Sequence, residues 1–445
     1  MKWTVVIVAM GFAPAWGQSA LSLADAVRMG LEHHPAVEAS VANKQAAQSR
    51  IEQARAGFLP KVAYSEAYQR SNNPIFVFGS LLTQHRFAQQ NFDLGTLNTP
   101  NFLNNFQSQL SVDQVLFDAG EAKAQVASAE AGSQIAAEAE RRARMDVIAG
   151  VAGAYYGAVL AKERLWVAQE ALRSGEADLR RAETVRGAGM STDADVLSVR
   201  VHLAGMKERE IQARYALEVA SAALNDALGE PLETQRDLST PLVAARLPNA
   251  TLESLDRTSV QERPDTRGAV LSVRAAESQS AGARSSLFPR ISLRGVFEAD
   301  RRNFVTRGGA NWFVGASLEW NLFNGFSDQS RRREAEQLVT AARAQQKQTE
   351  SAVRLEVRRA NADWKGADER IEVATTAVAE AEESLRITRN RYEAGLTTVT
   401  ELLRNETAWL ETQTRHLEAI YQQRLAATAL ELAAGTLTGD SDALK

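Results

Sequence analysis

The chain has 445 residues, a formal charge of −4 at pH 7 and no cysteine. With no basic block along it, no nucleic acid is expected as a partner, and without a thiol there is neither a disulfide framework nor an N-terminal cysteine to carry a lipid. Ten prolines, 7% aromatics and very long stretches free of turn residues make a poor recipe for the two or three globular domains that such a length suggests.

Residues 1–17 read as a secretory signal peptide: Lys2, an apolar run from Trp3 to Ala13, then the small residues Ala13, Ala15 and Gly17 before a cut at Gln18. The mature chain is therefore expected to be exported. Beyond the signal no run of about 18 apolar residues occurs, so no membrane-spanning helix is expected, and a membrane location would have to use strands.

A first unit is read over 18–229. It opens with a helix around Leu23, Ala24, Asp25, Ala26 and Val27, followed by Pro35. Two strands come next, about 61–70 and 107–117, where Val62, Tyr64 and Tyr68, then Leu110, Val112 and Leu116, hold alternate positions. The segment between them, 71–106, contains Asn73 Pro74 and Asn98 Thr99 Pro100 and is read as a long loop. From Gly120 the composition becomes Ala, Glu, Arg, Gln and Leu without proline, which predicts a helix to about Arg186. A straight helix of that size spans roughly 100 Å. It meets a turn at Gly189, and Thr192 can cap a returning helix that ends near Gly229, giving a helical hairpin over 120–229.

Residues 230–262, with Pro231, Pro241 and Pro248, are read as a connecting segment, and 263–435 as a second unit of the same plan, followed by a tail, 436–445. Its strands fall at about 290–299 and 311–323 and its hairpin at 327–435, turning at Gly395. In the second strand Trp312, Val314, Ala316, Leu318, Trp320 and Leu322 alternate with Phe313, Gly315, Ser317, Glu319 and Asn321. Trp312 and Trp320 would lie roughly 27 Å apart in a strand, the separation of the two aromatic girdles of an outer-membrane barrel. A half-buried sheet in water gives the same alternation, but export and the tryptophan spacing favour outer-membrane lipid as the neighbour.

The two units repeat in sequence. Leu116 Phe117 Asp118 Ala119 Gly120 returns 206 residues later as Leu322 Phe323 Asn324 Gly325, and Ala188 Gly189 Met190 Ser191 Thr192 as Ala394 Gly395 Leu396 Thr397 Thr398. Upstream, Pro35 and Pro60 match Pro264 and Pro289 at an offset of 229, so 23 extra residues lie in the first strand pair's loop. Four strands cannot close a barrel, and an open edge in hydrocarbon leaves backbone groups unpaired at several kcal/mol each. A barrel built from this chain must be shared between chains.

The opening Leu23 Ala24 Asp25 Ala26 Val27 with Pro35, the Leu59 Pro60 strand entry, Leu116 Phe117 Asp118 Ala119 Gly120, and Arg391 Tyr392 Glu393 Ala394 Gly395 together resemble the outer-membrane efflux protein family, the TolC-like channels. The resemblance implies a mixed α and β membrane protein: a homotrimer whose chains share a 12-stranded outer-membrane β-barrel, continued by a long periplasmic α-helical coiled-coil barrel. Residues 230–262 and the chain ends would form a belt around that tunnel. The implied role is the outer-membrane channel of a tripartite export system, passing small molecules from an inner-membrane pump and a periplasmic adaptor (membrane fusion) protein to the exterior. Type I protein secretion is the alternative cargo class. Adaptor docking is implied at the hairpin turns, here Gly187, Ala188, Gly189, Met190 and Ser191, and Ala394, Gly395, Leu396 and Thr397.

Such channels close at the periplasmic end, where acidic rings favour cations. Glu401 stands where the family often has an aspartate, and Arg404 where a second acidic residue is common. A Glu ring beside an Arg ring would hold a closed state by salt bridges; an ordinary i, i+3 surface pair gives the same spacing. Asp195 holds the equivalent place in the first copy and would accept a hydrogen bond from Tyr392, or be a solvated surface carboxylate. No enzyme is expected: His33, His34, His85, His202 and His416 lack metal-ligand spacing, and transport driven by a partner needs no cofactor and no metal. A trimeric structural or adhesive stalk would explain the rods and the export, but not two hairpin turns or a polar strand face at Gln109, Arg294, Glu298 and Glu319.

Overall fold

The computed structural model describes residues 20–445, so the signal read at 1–17 lies outside the described residues. Among the described residues the protein is mostly helical with one four-stranded sheet. It divides into two compact units: one holds Ala139–Thr266, Glu350–Lys445 and the chain up to Val41, the other Ala42–Glu138 and Arg267–Thr349.

In the second of these units β1 (Lys61–Ser71), β2 (Leu103–Phe117), β3 (Arg290–Arg301) and β4 (Gly309–Glu319) pair in that order, all antiparallel. The register aligns Tyr64, Leu110, Phe297 and Trp312 across the sheet, and Ser65, Gln109, Glu298 and Asn311 beside them. Because side chains alternate along a strand, one face gathers Val62, Tyr64, Leu110, Phe297, Trp312, Val314 and Leu318, all exposed. The opposite face gathers Gln109, Arg294, Glu298 and Glu319. β1 and β4 are the edges of the sheet.

Two features depart from the expected pattern. β4 stops at Glu319, so Trp320 and Leu322 follow the strand instead of continuing its alternation, and Trp320 Nε1–H donates to Leu287 O at 3.2 Å. The cause is the turn into the next helix, which places Gly325 and Phe326 at φ 67° each. The segment after β1 is folded, with α3 (Pro74–Thr83), a tight turn at Gln89–Phe92 and α4 (Leu94–Asn98). Asn73 Oδ1 accepts from the backbone N–H of Ile75 and Phe76, and Pro74 occupies the first helical position. The Asn-Pro pair thus starts a helix rather than marking a loop.

The other helices are α1 (Leu23–His33), α2 (Pro35–Arg55), α5 (Glu121–Gly187), α6 (Asp193–Leu228), α7 (Leu252–Glu262), α8 (Pro264–Ser285), α9 (Ser327–Glu393) and α10 (Val399–Ala434). α5 and α9 are each 67 residues long, α6 and α10 each 36. The largest core of the first unit forms where Met145, Ile148, Val151, Tyr155 and Val159 of α5 meet Leu23 and Val27 of α1, Leu224 and Leu228 of α6, and Leu437. Tyr155 Oη–H donates to Leu21 O at 2.8 Å and its oxygen accepts from Thr240 N–H at 2.9 Å, binding the connecting segment to the start of the described chain. Arg424, 1% exposed, donates to Val243 O and Ala443 O and stacks 5.1 Å over the Tyr156 ring. Charge-assisted bonds to carbonyls are what make so buried a guanidinium tolerable. Residues 230–251 carry no helix or strand beyond the bridge from Leu238 to Leu21, and α7 occupies the rest of the connecting segment.

Candidate functional site

The hairpin turns are built alike. α5 and α9 end in the same backbone motif: Gly189, at φ 75°, donates N–H to Arg186 O at 2.8 Å while Met190 N–H reaches Val185 O at 3.1 Å. Gly395, at φ 70°, donates to Tyr392 O at 3.0 Å and Leu396 N–H reaches Arg391 O at 2.8 Å. This is the Schellman closure, in which glycine takes the left-handed position at no steric cost. Its next residue commonly packs back on the helix; here Met190 and Leu396 are instead 75% and 68% exposed. Gly187, Ala188, Ser191, Ala394 and Thr397 complete the two turns.

The returning helices start on threonine. Thr192 Oγ1 accepts from Asp195 N–H at 3.2 Å, and Asp195 Oδ2 accepts from Thr192 N–H at 3.0 Å, a reciprocal capping box. Asp195 also accepts from Ser191 Oγ–H, at 3.0 Å. The backbone and side-chain hydrogen bonds from Thr192, then Ser191, hold its carboxyl below the ordinary value. Its acceptor capacity goes to the cap of its own helix rather than to Tyr392. Tyr392 packs with Leu179, Ala182, Val196, Val199, Val399 and Leu403 between the two hairpins, and burial, then the charge of Asp195, raises its phenol. In the second copy Thr398 accepts from Glu401 N–H at 3.4 Å, while Glu401 Oε2 pairs with Arg404 at 3.1 Å, with the side chains 47% and 71% exposed. Within one chain Glu401 and Arg404 form an i, i+3 surface pair, worth a few tenths of a kcal/mol. Arg186 pairs with Asp193 across its own turn at 2.6 Å.

A buried polar cluster lies about three helical turns in from the hairpin ends, and nothing in the sequence reading anticipated it. Asp178 of α5, His202 of α6, Arg389 of α9 and Glu406 of α10 converge, one from each helix. Arg389 Nη2 stands 3.1 Å from Glu406 Oε1, and His202 Nε2 is 3.6 Å from Glu406 Oε2. Glu406 is 3% exposed and Asp178 8%. Burial, then the neighbouring Glu406 carboxylate, pushes Asp178 up to about 6. Burial works against Glu406 too, but His202, Asp178 and Arg389 hold it below its ordinary value. Below about pH 6 the pair therefore holds one proton. Arg389 Nε finds no hydrogen-bond partner, so the network is only partly satisfied. The signal was present in sequence: Glu406 falls in register with the buried Val399, Leu402 and Leu410, a carboxyl on an otherwise apolar stripe.

Trp312 on β4 is 75% exposed, and Trp320, just past the end of that strand, 54%. Among the described residues no helix is long and apolar enough to cross a membrane, and no group of three or more His, Asp or Glu could hold a metal.

The sequence profile of the outer membrane efflux proteins matches residues 26–230 and 257–436. Protein CyaE of Bordetella pertussis is 30% identical over 94% of this chain and 84% of its own length. The proteases secretion protein PrtF of Dickeya chrysanthemi is 24% identical over 94% of this chain and 89% of its own. The crystal structure of the CmeC outer membrane channel of Campylobacter jejuni superposes with a TM-score of 0.80 at 17% identity, covering 99% of this chain and 96% of that one, a likeness of fold. The chain belongs to the outer membrane efflux protein family, a family of channel proteins, and is an outer-membrane channel of an export system with a periplasmic extension.

Proposed function

We infer that three copies of this chain, each a tandem repeat of one strand-pair and hairpin unit, share a 12-stranded barrel and continue it as a helical tunnel gated at the hairpin ends. The observation that carries this reading is the four-stranded sheet with one apolar face and two open edges, β1 and β4. In lipid those edges are tenable only when paired with another copy. The equal helix lengths in the two halves support the repeat. The signal peptide, the two units and the connecting segment keep the boundaries given above.

In this reading Glu401 and Arg404 form rings near the closed end, Asp195 braces the cap of its own helix, and Tyr392 packs between inner and outer hairpins. The exposed Met190 and Leu396, with Gly187, Ala188, Gly189, Ser191, Ala394, Gly395 and Thr397 around them, offer small flat turns with one apolar knob each to a periplasmic adaptor. An inner-membrane pump supplies the energy, and Trp312 and Trp320 sit at the lipid boundary. Small molecules are the first cargo; polypeptide export is the second reading, favoured by the whole-length match to a relative named for protease secretion.

The test is conductance of the purified protein in a planar lipid bilayer, native and with Glu401→Ala and Arg404→Ala together. Small cation-selective steps that grow in the double variant are expected. A membrane-inserted trimer that conducts in neither form would point to a structural stalk instead. Cargo is separated by deleting the chain from its host: drug hypersensitivity marks small-molecule efflux, and loss of an exported polypeptide with unchanged drug tolerance marks secretion.

A further inference from the structure

The polar face of the sheet is covered at one end by the segment joining β1 to β2. Gln84, directly after α3 and 4% exposed, donates Nε2–H to Asn104 O and to Asn105 Oδ1, both at 2.9 Å. Asn105 Nδ2–H donates to Asp300 Oδ1 at 2.5 Å, and Asn311 Nδ2–H reaches Thr83 O at 3.2 Å. By the strand register Asn105, Asp300 and Asn311 share the face of Gln109 and Glu298, the polar one. Gly309, paired with Asp300 on that face, lies so close to the end of α3 that a Cβ there would overlap Thr83 O.

α3 has two different sides. Val77 and Ser80 are buried, whereas Ile75, Phe78 and Leu82 are exposed, Ile75 by 85%. At 3.6 residues per turn these sets lie on opposite sides of the helix, so the side away from the covered one is apolar. Edge-to-face contacts from Phe78 to Phe87 at 5.0 Å and from Phe87 to Phe92 at 5.1 Å stiffen the segment. The latch is not fully paired: Asp300 is 1% exposed and its Oδ2 has no hydrogen-bond partner. A buried oxygen left unpaired weakens the closed arrangement relative to an open, hydrated one.

We propose that residues 72–102 are an outer gate: the segment is latched onto the polar face that lines the passage, narrows its outer mouth and presents the apolar side of α3 to whatever passes. The inference rests on the reading that this face lines a barrel shared between copies. An apolar constriction of this kind resists water and ions until it widens, so the chain carries a second barrier besides the gate read at the hairpin turns.

The protein has no cysteine, so an introduced thiol is unique. Gln109→Cys puts one on the polar face below the latch, and Val112→Cys puts one on the apolar face as a control. Intact cells are treated with a small membrane-impermeant thiosulfonate and with a bulky polyethylene glycol maleimide. With the native segment, the small reagent should label Gln109→Cys and the bulky one should react about tenfold more slowly than after Gln84→Ala with Asn311→Ala. Ile75→Ser with Leu82→Ser changes only exposed side chains, so folding is preserved, and should speed small-reagent labelling about twofold. Bulky labelling that is equally fast with and without the latch would overturn the outer gate while leaving the channel intact. If neither reagent reaches Gln109→Cys in any variant, the polar face lines no passage, and the barrel reading falls with the gate.

Discussion

At the scale of single residues the most consequential group is Glu406. In the first hairpin Arg200 of α6 pairs with Glu183 of α5 at 2.8 Å, 17 residues apart; in the second Glu406 of α10 pairs with Arg389 of α9 at 3.1 Å, again 17 apart. The same two positions carry an ion pair of reversed sign. The first is exposed, and exposed pairs contribute little. In the second the Glu406 carboxylate is buried with Asp178 against it, while Arg389 is 36% exposed, and there the protonation state matters. Asp178 keeps its proton in the fold to about pH 6, whereas an unfolded chain releases it near 3.8. Between those values the unfolded chain binds fewer protons, so stability falls as pH rises through the window and stays low above it. Glu406, held below its ordinary value, acts oppositely and loses its contribution only in stronger acid. After correction for the intrinsic pH dependence of amide exchange, the end of the hairpin pair should therefore be less protected at pH 7 than at pH 5, and Asp178→Asn should abolish that difference. Glu406→Gln should lower stability by about 1 kcal/mol, because Arg389, 36% exposed, loses its partner charge but keeps contact with water; a denaturant titration checks this.

At the scale of elements, the helix ends separate two roles of glycine. A Cβ on Gly395 would meet nothing within 4 Å, so Gly395→Ala carries only the left-handed backbone cost, roughly 1 kcal/mol. Gly435, at φ 78°, closes α10 against α7's end, and a Cβ there would stand 2.8 Å from Arg263 Cα. Gly435→Ala should thus lower the melting temperature more than Gly395→Ala, and equal shifts would show that the close approach is dispensable. These turns were legible in the sequence because glycine, threonine and an acid three residues on are local signals. The long helices were legible from composition alone. α3 was not, since Asn73 Pro74 serves as loop punctuation and as a helix start alike, and only the apolar run after it, Ile75 to Phe78, separates the two. The end of β4 was missed for another reason: alternation continues through Trp320 and Leu322, but the chain has to turn into α9 there. The Asp178 cluster needs four helices to bring it together, and no single helix announces it beyond one carboxyl on an apolar stripe.

At the scale of the whole molecule, the described chain leaves apolar surface that it does not cover itself. α6 exposes Leu197, Val201, Tyr215 and Val219. Val201 and Tyr215 are two heptads apart and Leu197 and Val219 flank them at one turn, the pattern of a coiled-coil seam without a partner helix. The proposed assembly would answer two features, this stripe and the open strand edges, while neither sets its number, because any small ring of copies would satisfy both. Charges on the stripe separate assembly from folding. Val201→Glu with Tyr215→Glu places two carboxylates on a solvent-facing side of α6, so a monomer tolerates them, whereas a seam between copies would have to bury them unpaired. Light scattering on detergent-purified protein should read three chains for the native protein and a loss of that assembly for the double variant, with helix content by circular dichroism unchanged. A variant that remains assembled would place the seam elsewhere. The strand edges alone would then have to hold the copies together, leaving the exposed stripe on α6 without an assembly role.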